Sequence, residues 1–257
     1  VLLKDKVCII AGAGSARGIG YATVQLFAQH GATVIGCDLS MDHERRADLI
    51  AGIQDQAGHD ITVDFVACDI TNPLDCQQMT RDAVARYGHI DGIVNCAGIV
   101  ESRDMLDIDG ASLDRMLTVN LKGAFTLAQE MLRVFIGQGH GTIVNLASVA
   151  AQRGGGLVGG SHYAASKGGM ISMTRSIARE FGPKGIRANV VCPSMTETGM
   201  LDGVVGASMH EQIVSQIPLR RAALPVDIAG ACLFLTSDLS AYVTGATIDV
   251  NGGSHIH

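Results

Sequence analysis

The chain predicts an α/β fold, a doubly wound parallel sheet of about seven strands with helices on both faces. Three observations carry this expectation. Short runs rich in Val and Ile alternate with longer helical patterns from end to end. The strand runs are apolar nearly throughout, as a sheet covered on both faces requires. A glycine-rich turn joins the first strand to the first helix.

In chain order, "KVCIIA" (6–11), "ATVIGCD" (32–38), "ITVDFVACD" (61–69), "DGIVNCA" (91–97), "GTIVNLAS" (141–148), "IRANVVCP" (186–193) and "ATIDV" (246–250) read as strands. Most are bounded by Gly, Asp or Pro. Helix-length segments lie between them, among them 18–30, 73–87, 112–137, 162–182 and 226–236. The stretch 194–217 has no strand pattern, carries Gly and Met, and is expected to be the most mobile part; with 98–106 and 148–162 it is expected to line the substrate pocket. No linker, repeat or low-complexity block divides the chain, so residues 1–257 are expected to form a single domain.

Bulk composition narrows the classes of function. With 47% hydrophobic and 17% charged residues, the chain is globular rather than disordered. A net charge of -6 argues against a nucleic-acid partner and against an anionic membrane surface. No apolar run approaches the ~20 residues that span a bilayer. The opening "VLLKDKVCII" places charges inside its apolar run and reads as a strand, not a signal peptide. The seven cysteines are scattered and never in CxxC spacing, which suits reduced, buried thiols of a cytoplasmic protein and offers no metal site. His255 and His257 make an HxH tail, and two ligands are too few for a zinc centre.

The turn "AGAGSARGIGYA" places glycines at 12, 14, 18 and 20. Residues without side chains let the backbone approach a pyrophosphate, and the helix beginning there offers free N–H groups and a positive dipole end. The spacing GxGxxG fails because Arg17 takes the third place, whereas GxxxGxG fits Gly14, Gly18 and Gly20. Which of Gly12 and Gly14 contacts phosphate is open at this level. Asp38 ends the second strand, twenty residues past Gly18, where an acid meets the adenosine ribose hydroxyls and repels a 2′-phosphate. That favours NAD over NADP. Arg17 is a counter-signal, since a cation in this turn serves a 2′-phosphate.

Taken together, these motifs resemble those of the short-chain dehydrogenase/reductase family along nearly the whole chain. The glycine turn 14–20 looks like the family's, Asn95-Cys96-Ala97-Gly98 like its "NNAG", and Pro193 to Thr198 like its "PG…T" segment. The closing "SAYVTGATIDVNGG" is also similar. The order Asn120, Ser148, Tyr163, Lys167 matches the active-site set, with YxxxK in "SHYAASKGG". Cys96 and Ser194 depart from the pattern, and the Ser148–Tyr163 interval is lengthened by glycines at 154–156 and 159–160. The resemblance implies a Rossmann-type fold and a homotetramer built on 112–137, the Tyr163 helix and the last strand. It also implies an NAD site drawing on Gly12, Gly14, Arg17, Gly18, Ile19, Gly20, Asp38, Asp69, Ile70, Asn95, Ala97, Gly98, Tyr163, Lys167, Pro193, Thr196 and Thr198. Asp69 would contact adenine, Thr198 would lie near the nicotinamide, and Asn120 would carry a water chain to the lysine.

The chemistry needs these groups. Reducing a ketone leaves negative charge on oxygen, which must receive a proton. Tyrosine donates and accepts, but its free pKa is about 10. An ammonium four residues along the helix stabilises the phenolate and is expected to lower that pKa. Tyr163 is therefore the expected acid/base, Lys167 its charge partner, and Ser148 the donor that holds the substrate oxygen. Each residue has a plainer reading as well: helix N-cap for Ser148, helix brace for Asn120, amphipathic edge for the pair. In "VAAQRGGGLVGG" the only polar side chains are Gln152 and Arg153, candidates for holding a small, anionic substrate. The family's substrates include sugars, polyols, steroids and acyl thioesters, so a 3-oxoacyl thioester reductase is an alternative, as is a non-catalytic dinucleotide-binding protein. A serine hydrolase would need GxSxG, and Ser148 lies in "NLASVAA".

Overall fold

The computed structural model describes all residues except 58–60, 157, 204 and 257. Seven parallel strands form one sheet: β1 (Val7–Ala11), β2 (Thr33–Asp38), β3 (Thr62–Ala67), β4 (Gly92–Asn95), β5 (Gly141–Leu146), β6 (Ile186–Pro193) and β7 (Thr247–Val250). Their order is β3-β2-β1-β4-β5-β6-β7. The order reverses between β1 and β4, and a crevice opens there beyond the carboxyl ends of the strands, as doubly wound sheets require. Ala11 pairs with Asn95 across that crevice.

The helices are α1 (Ile19–Gln29), α2 (His43–Ala57), α3 (Pro73–Tyr87), α4 (Gly110–Leu117), α5 (Ala124–Gln138), α6 (Ala150–Arg153), α7 (Ser161–Phe181), α8 (Ala207–Gln216) and α9 (Pro225–Thr236). Strand side chains alternate between two layers of core, which is why the strand runs are apolar throughout. Ile9, Ile35, Ile93 and Ile143 pack with Leu127, Met131 and Phe135 on one face. Cys8, Ile10, Val34, Val94 and Val144 pack with Phe27, Ile53 and Leu235 on the other. None of the described helices is long and apolar enough to cross a membrane. All seven cysteines are free thiols.

Three elements differ from the expectation. The segment 112–137 is not one helix: α4 and α5 are joined by a π-helical stretch, Thr118–Gly123, that carries Asn120. The polar helix α2 was not among the expected segments. Within 194–217, where mobility was expected, α8 forms, preceded by a 3-10 turn, Gly199–Leu201.

Candidate active site

The glycine turn sits in the crevice. Gly12 has φ +77, and a Cβ there would lie 2.5 Å from the Ala97 nitrogen. A Cβ on Gly20 would lie 2.2 Å from the Gly12 carbonyl oxygen. Both contacts join backbone to backbone, so no side chain fits and α1 starts tight against β1 and β4. The amides of Gly12 and Ala13 donate to the Cys37 carbonyl, and that of Gly14 donates to Asp38 Oδ2 at 2.7 Å. Gly12 and Gly14 thus spend their N–H groups on β2. Donors left for a phosphate include those at the start of α1, whose N-cap Gly18 brings no side-chain cap. Helical geometry leaves Ile19 and Gly20 without intrahelical acceptors for their amides. This cradle fits a dinucleotide diphosphate.

At the carboxyl end of β2, Asp38 also accepts the Leu39 amide at 2.8 Å. Arg17 does not face it: its guanidinium grips Asp202 at 2.8 and 3.0 Å, tying the glycine turn to the segment after β6. A different cation lies closer. Arg45 on α2 donates from Nε and Nη2 to the Gly14 carbonyl at 2.9 and 2.6 Å. Asp69 turns Oδ1 onto the Thr71 amide and hydroxyl, both at 2.8 Å. The Ile70 side chain is buried in the core, where its tip backs Gly123. Asn95 accepts the Ala97 amide, while its buried Nδ2 has no partner.

A cavity of about 230 Å³ continues from this cradle, lined among others by Ile19, Gly98, Ser148, Arg153, Tyr163, Lys167, Pro193, Thr196 and Thr198. The end of β5 and helix α7 deliver its central polar groups, with Asn120 behind them. Ser148 follows β5, and its hydroxyl accepts the Ala150 amide at 3.1 Å, so it caps the turn into α6 and lines the cavity as well. Tyr163 and Lys167 project from α7, with the ammonium 5.9 Å from the tyrosine ring centre. Lys167 is buried and donates to the Leu146 carbonyl at 2.7 Å. Asn120 is fully buried and behaves as a brace: Oδ1 accepts the Ile99 amide at 2.8 Å, and Nδ2 donates to the Ile99 carbonyl and to Ser166 Oγ. A Cβ on Gly98 would meet both Asn120 Oδ1 (3.1 Å) and Lys167 Nζ (3.3 Å), so the two groups flank one glycine.

Burial sets the electrostatics. Desolvation pulls the Lys167 ammonium down to about 8. Desolvation also raises the Tyr163 phenol above its usual value, with Ser148 acting in the opposite sense. This departs from the expectation that Lys167 would lower the tyrosine. The protein alone withholds water from the phenolate more strongly than the lysine, bonded to Leu146, compensates it.

The remaining expectations sort by position. Gln152 does not line the cavity: its amide donates to Asp249 at 2.8 Å. Arg153 does line it, and among the described residues its one hydrogen bond is a long one, 3.4 Å, to the Ser254 carbonyl. Thr196 is buried and turned onto the Ser194 carbonyl. His162 faces a loop, 3.6 Å from Glu101. The segment 194–217 was expected to line the pocket, and its Met195, Met200, Ile213 and Ile217 do so. Sequence reasoning overlooked Arg45, the pairing of Asp202 with Arg17, and Ser254, none of which carries a local signal.

Comparison with known proteins agrees with this geometry. A family model described as enoyl-(acyl carrier protein) reductase matches residues 12–255. The chain is 41% identical over 257 residues to an uncharacterized short-chain type dehydrogenase/reductase of Sinorhizobium fredii, covering 100% of both. It is 39% identical over 251 residues to 3-oxoacyl-(acyl-carrier-protein) reductase of Thermotoga maritima, covering 98% of both. The solved structure of levodione reductase superposes with a TM-score of 0.91 at 29% identity, over 98% of each chain. The glycine cradle at the switch point, the Ser, Tyr and Lys on one cavity wall and these full-length matches make the chain a member of the short-chain dehydrogenase/reductase family of oxidoreductases.

Proposed function

We propose that the protein uses NAD(H) to interconvert a secondary alcohol and a ketone, with Tyr163 as general acid/base. The observation that carries this reading is the meeting of Ser148, Tyr163 and Lys167 on the wall of one cavity that opens from the glycine cradle. In reduction, Tyr163 gives its proton to the oxygen that receives charge, and in oxidation it takes that proton back. Ser148 holds the oxygen by a hydrogen bond. Lys167 supplies positive charge and donors for the ribose, and Asn120 fixes the backbone at 98–99 beside it. The bound dinucleotide supplies the hydride donor or acceptor and, when oxidised, a positive ring that favours the phenolate.

Two observations support NAD over NADP. Asp38 places a carboxylate at the end of β2, hydrogen-bonded to Gly14 and Leu39. Arg17, the cation that argued for NADP, is matched by Asp202. Arg45 is the residue to remove in testing this preference.

The test is NADH oxidation against a panel of ketones, with Tyr163→Phe alongside. The variant is expected to bind NADH as the wild type does and to lose about 10²–10⁴-fold in kcat, the usual worth of a positioned acid/base. A variant keeping near wild-type kcat would end the assignment. A second reading, 3-oxoacyl thioester reduction, draws on the Thermotoga maritima relative and on acetoacetyl-CoA reductase of Allochromatium vinosum, 34% identical over 244 residues. Efficient turnover of acetoacetyl-CoA, with no turnover of small ketones, would select it. A non-catalytic role fits poorly with a Tyr and Lys both in place.

A further inference from the structure

The cavity has a lopsided charge. Among the described residues its lining includes two cations, Lys167 and Arg153, and no aspartate or glutamate. Lys167 is withdrawn into the protein and tied to Leu146. Arg153 is different. It ends α6, five residues beyond Ser148, on the same wall as the reacting groups. Other arginines near the site, such as Arg17 and Arg103, are each matched by a carboxylate. Among the described residues Arg153 has no such partner, only the 3.4 Å contact with the Ser254 carbonyl. Arg153 is exposed, so most of the five N–H donors of its planar fork face solvent and are open to a ligand that enters the cavity.

Two further features point the same way. Ser254 also lines the cavity, and its buried hydroxyl has no hydrogen-bond partner. Buried hydroxyls are nearly always satisfied, so one left open on a cavity wall suits an acceptor brought by a ligand. Beside Arg153, Gly154 and Gly156 would meet nothing within 4 Å if they carried a Cβ. Gly155 and Gly156 belong to the cavity wall. The loop therefore leaves open space next to the guanidinium, and the cavity lining offers apolar Val149, Met195 and Ile213 together with the uncharged polar Gln216.

We propose that Arg153, helped by Ser254, anchors a terminal oxyanion of the substrate, so that the preferred substrates are small oxo or hydroxy compounds bearing a carboxylate or sulfonate a few bonds from the reacting carbon. This rests on the alcohol/ketone reading above. Arg153 sets specificity and takes no part in proton transfer. The guanidinium binds the anion bidentately while Ser148 and Tyr163 hold the carbonyl oxygen, and the two attachments fix the carbon between them.

The test compares short 2- and 3-oxoacids with their methyl esters, using NADH, in the wild type, Arg153→Ala and Arg153→Lys. The wild type is expected to favour the acids, and the acid-to-ester ratio of kcat/KM is expected to fall at least tenfold in Arg153→Ala, through KM, with partial recovery in Arg153→Lys. An unchanged ratio, or a wild type that favours the esters, would overturn the anchor while leaving the reductase reading intact. Binding of methanesulfonate to the NAD-loaded protein, followed by calorimetry, is independent of turnover. Binding that is present in the wild type and lost in Arg153→Ala supports the anchor even if no ketone in the panel is reduced. Absence of binding to the wild type, or equal binding to both, counts against it.

Discussion

At the scale of single residues, the site is governed by two groups whose charged forms the protein disfavours. Tyr163 is raised by burial and Lys167 lowered to about 8 by the same cause. The phenol therefore stays protonated at neutral pH in the protein alone. In the proposed role Tyr163 must hold its proton for ketone reduction, so kcat/KM in that direction is expected to stay level across neutral pH. Alcohol oxidation, which needs the phenolate, is expected to rise with pH. Oppositely sloped pH profiles for the two directions are the check, and parallel profiles would remove Tyr163 from control. Lys167 has a consequence for stability. Its folded pKa lies below the unfolded value of about 10.4, so between about pH 8 and 10.4 the unfolded chain holds a proton that the folded chain has released. Stability contributed by this residue therefore increases as pH rises through that window, by up to about 3 kcal/mol. Urea unfolding of wild type and Lys167→Met at several pH values should show the wild type gaining on the variant. A pH-independent difference would mean that the ammonium is as well solvated in the protein as in water.

At the scale of elements, the site depends on close backbone contacts and one buried amide. Asn120 lies in the π-helical stretch between α4 and α5 and satisfies both the N–H and the C=O of Ile99. Asn120→Ala would leave those groups buried and unpaired, at about 1–3 kcal/mol each. A lowered Tm together with lost activity is expected, and an unchanged Tm would show that water replaces the amide. At α1, Gly20→Ala would drive a Cβ into the Gly12 carbonyl. Affinity for NADH, read by fluorescence titration, should fall more than tenfold, and normal affinity would show that α1 can withdraw without cost. How much of this was legible follows from what makes each element. The strands were readable because both faces are buried. The glycines at 12–20 and the Ser148, Tyr163 and Lys167 set were readable because backbone approach and proton transfer tolerate few residue types. Helix α2 was not, since its sequence HERRADLIAGIQDQA buries little beyond Leu49 and Ile53. The π-helical stretch follows from Asn120 reaching Ile99, twenty-one residues back, which no local period records. One glycine of the loop before Tyr163 has a reason visible only in three dimensions: a Cβ on Gly159 would lie 2.5 Å from the tyrosine ring. The expected role of Gln152 failed for the same kind of reason, because Asp249, which holds its amide, lies 97 residues away.

At the scale of the whole molecule, long-range pairs close the cleft and exposed apolar residues mark its outer faces. Arg17 and Asp202 connect the glycine turn to the segment leading into α8, whose Ile213, with Ile217 just past its end, lines the cavity. The pair is solvent-exposed, so it adds at most about 1 kcal/mol of stability. The outer surface is less easily accounted for by one chain alone. Leu113, Phe125 and Ile136 stand exposed on α4 and α5, and Leu239 and Tyr242 stand exposed before β7. These lie within or beside the segments through which the family resemblance implies tetramer formation. Burying them against copies of the same chain would remove apolar surface from water, at about 25 cal/mol per Å². Closed tetramers with dihedral symmetry use self-complementary faces, so damage to one face should leave dimers held by the other. Sedimentation velocity is therefore expected to give about four times the 26.8 kDa chain mass for the wild type and about twice that mass for Phe125→Glu. A wild type sedimenting as a single chain would end the tetramer proposal. A Phe125→Glu variant that remained tetrameric would move the interface away from α5.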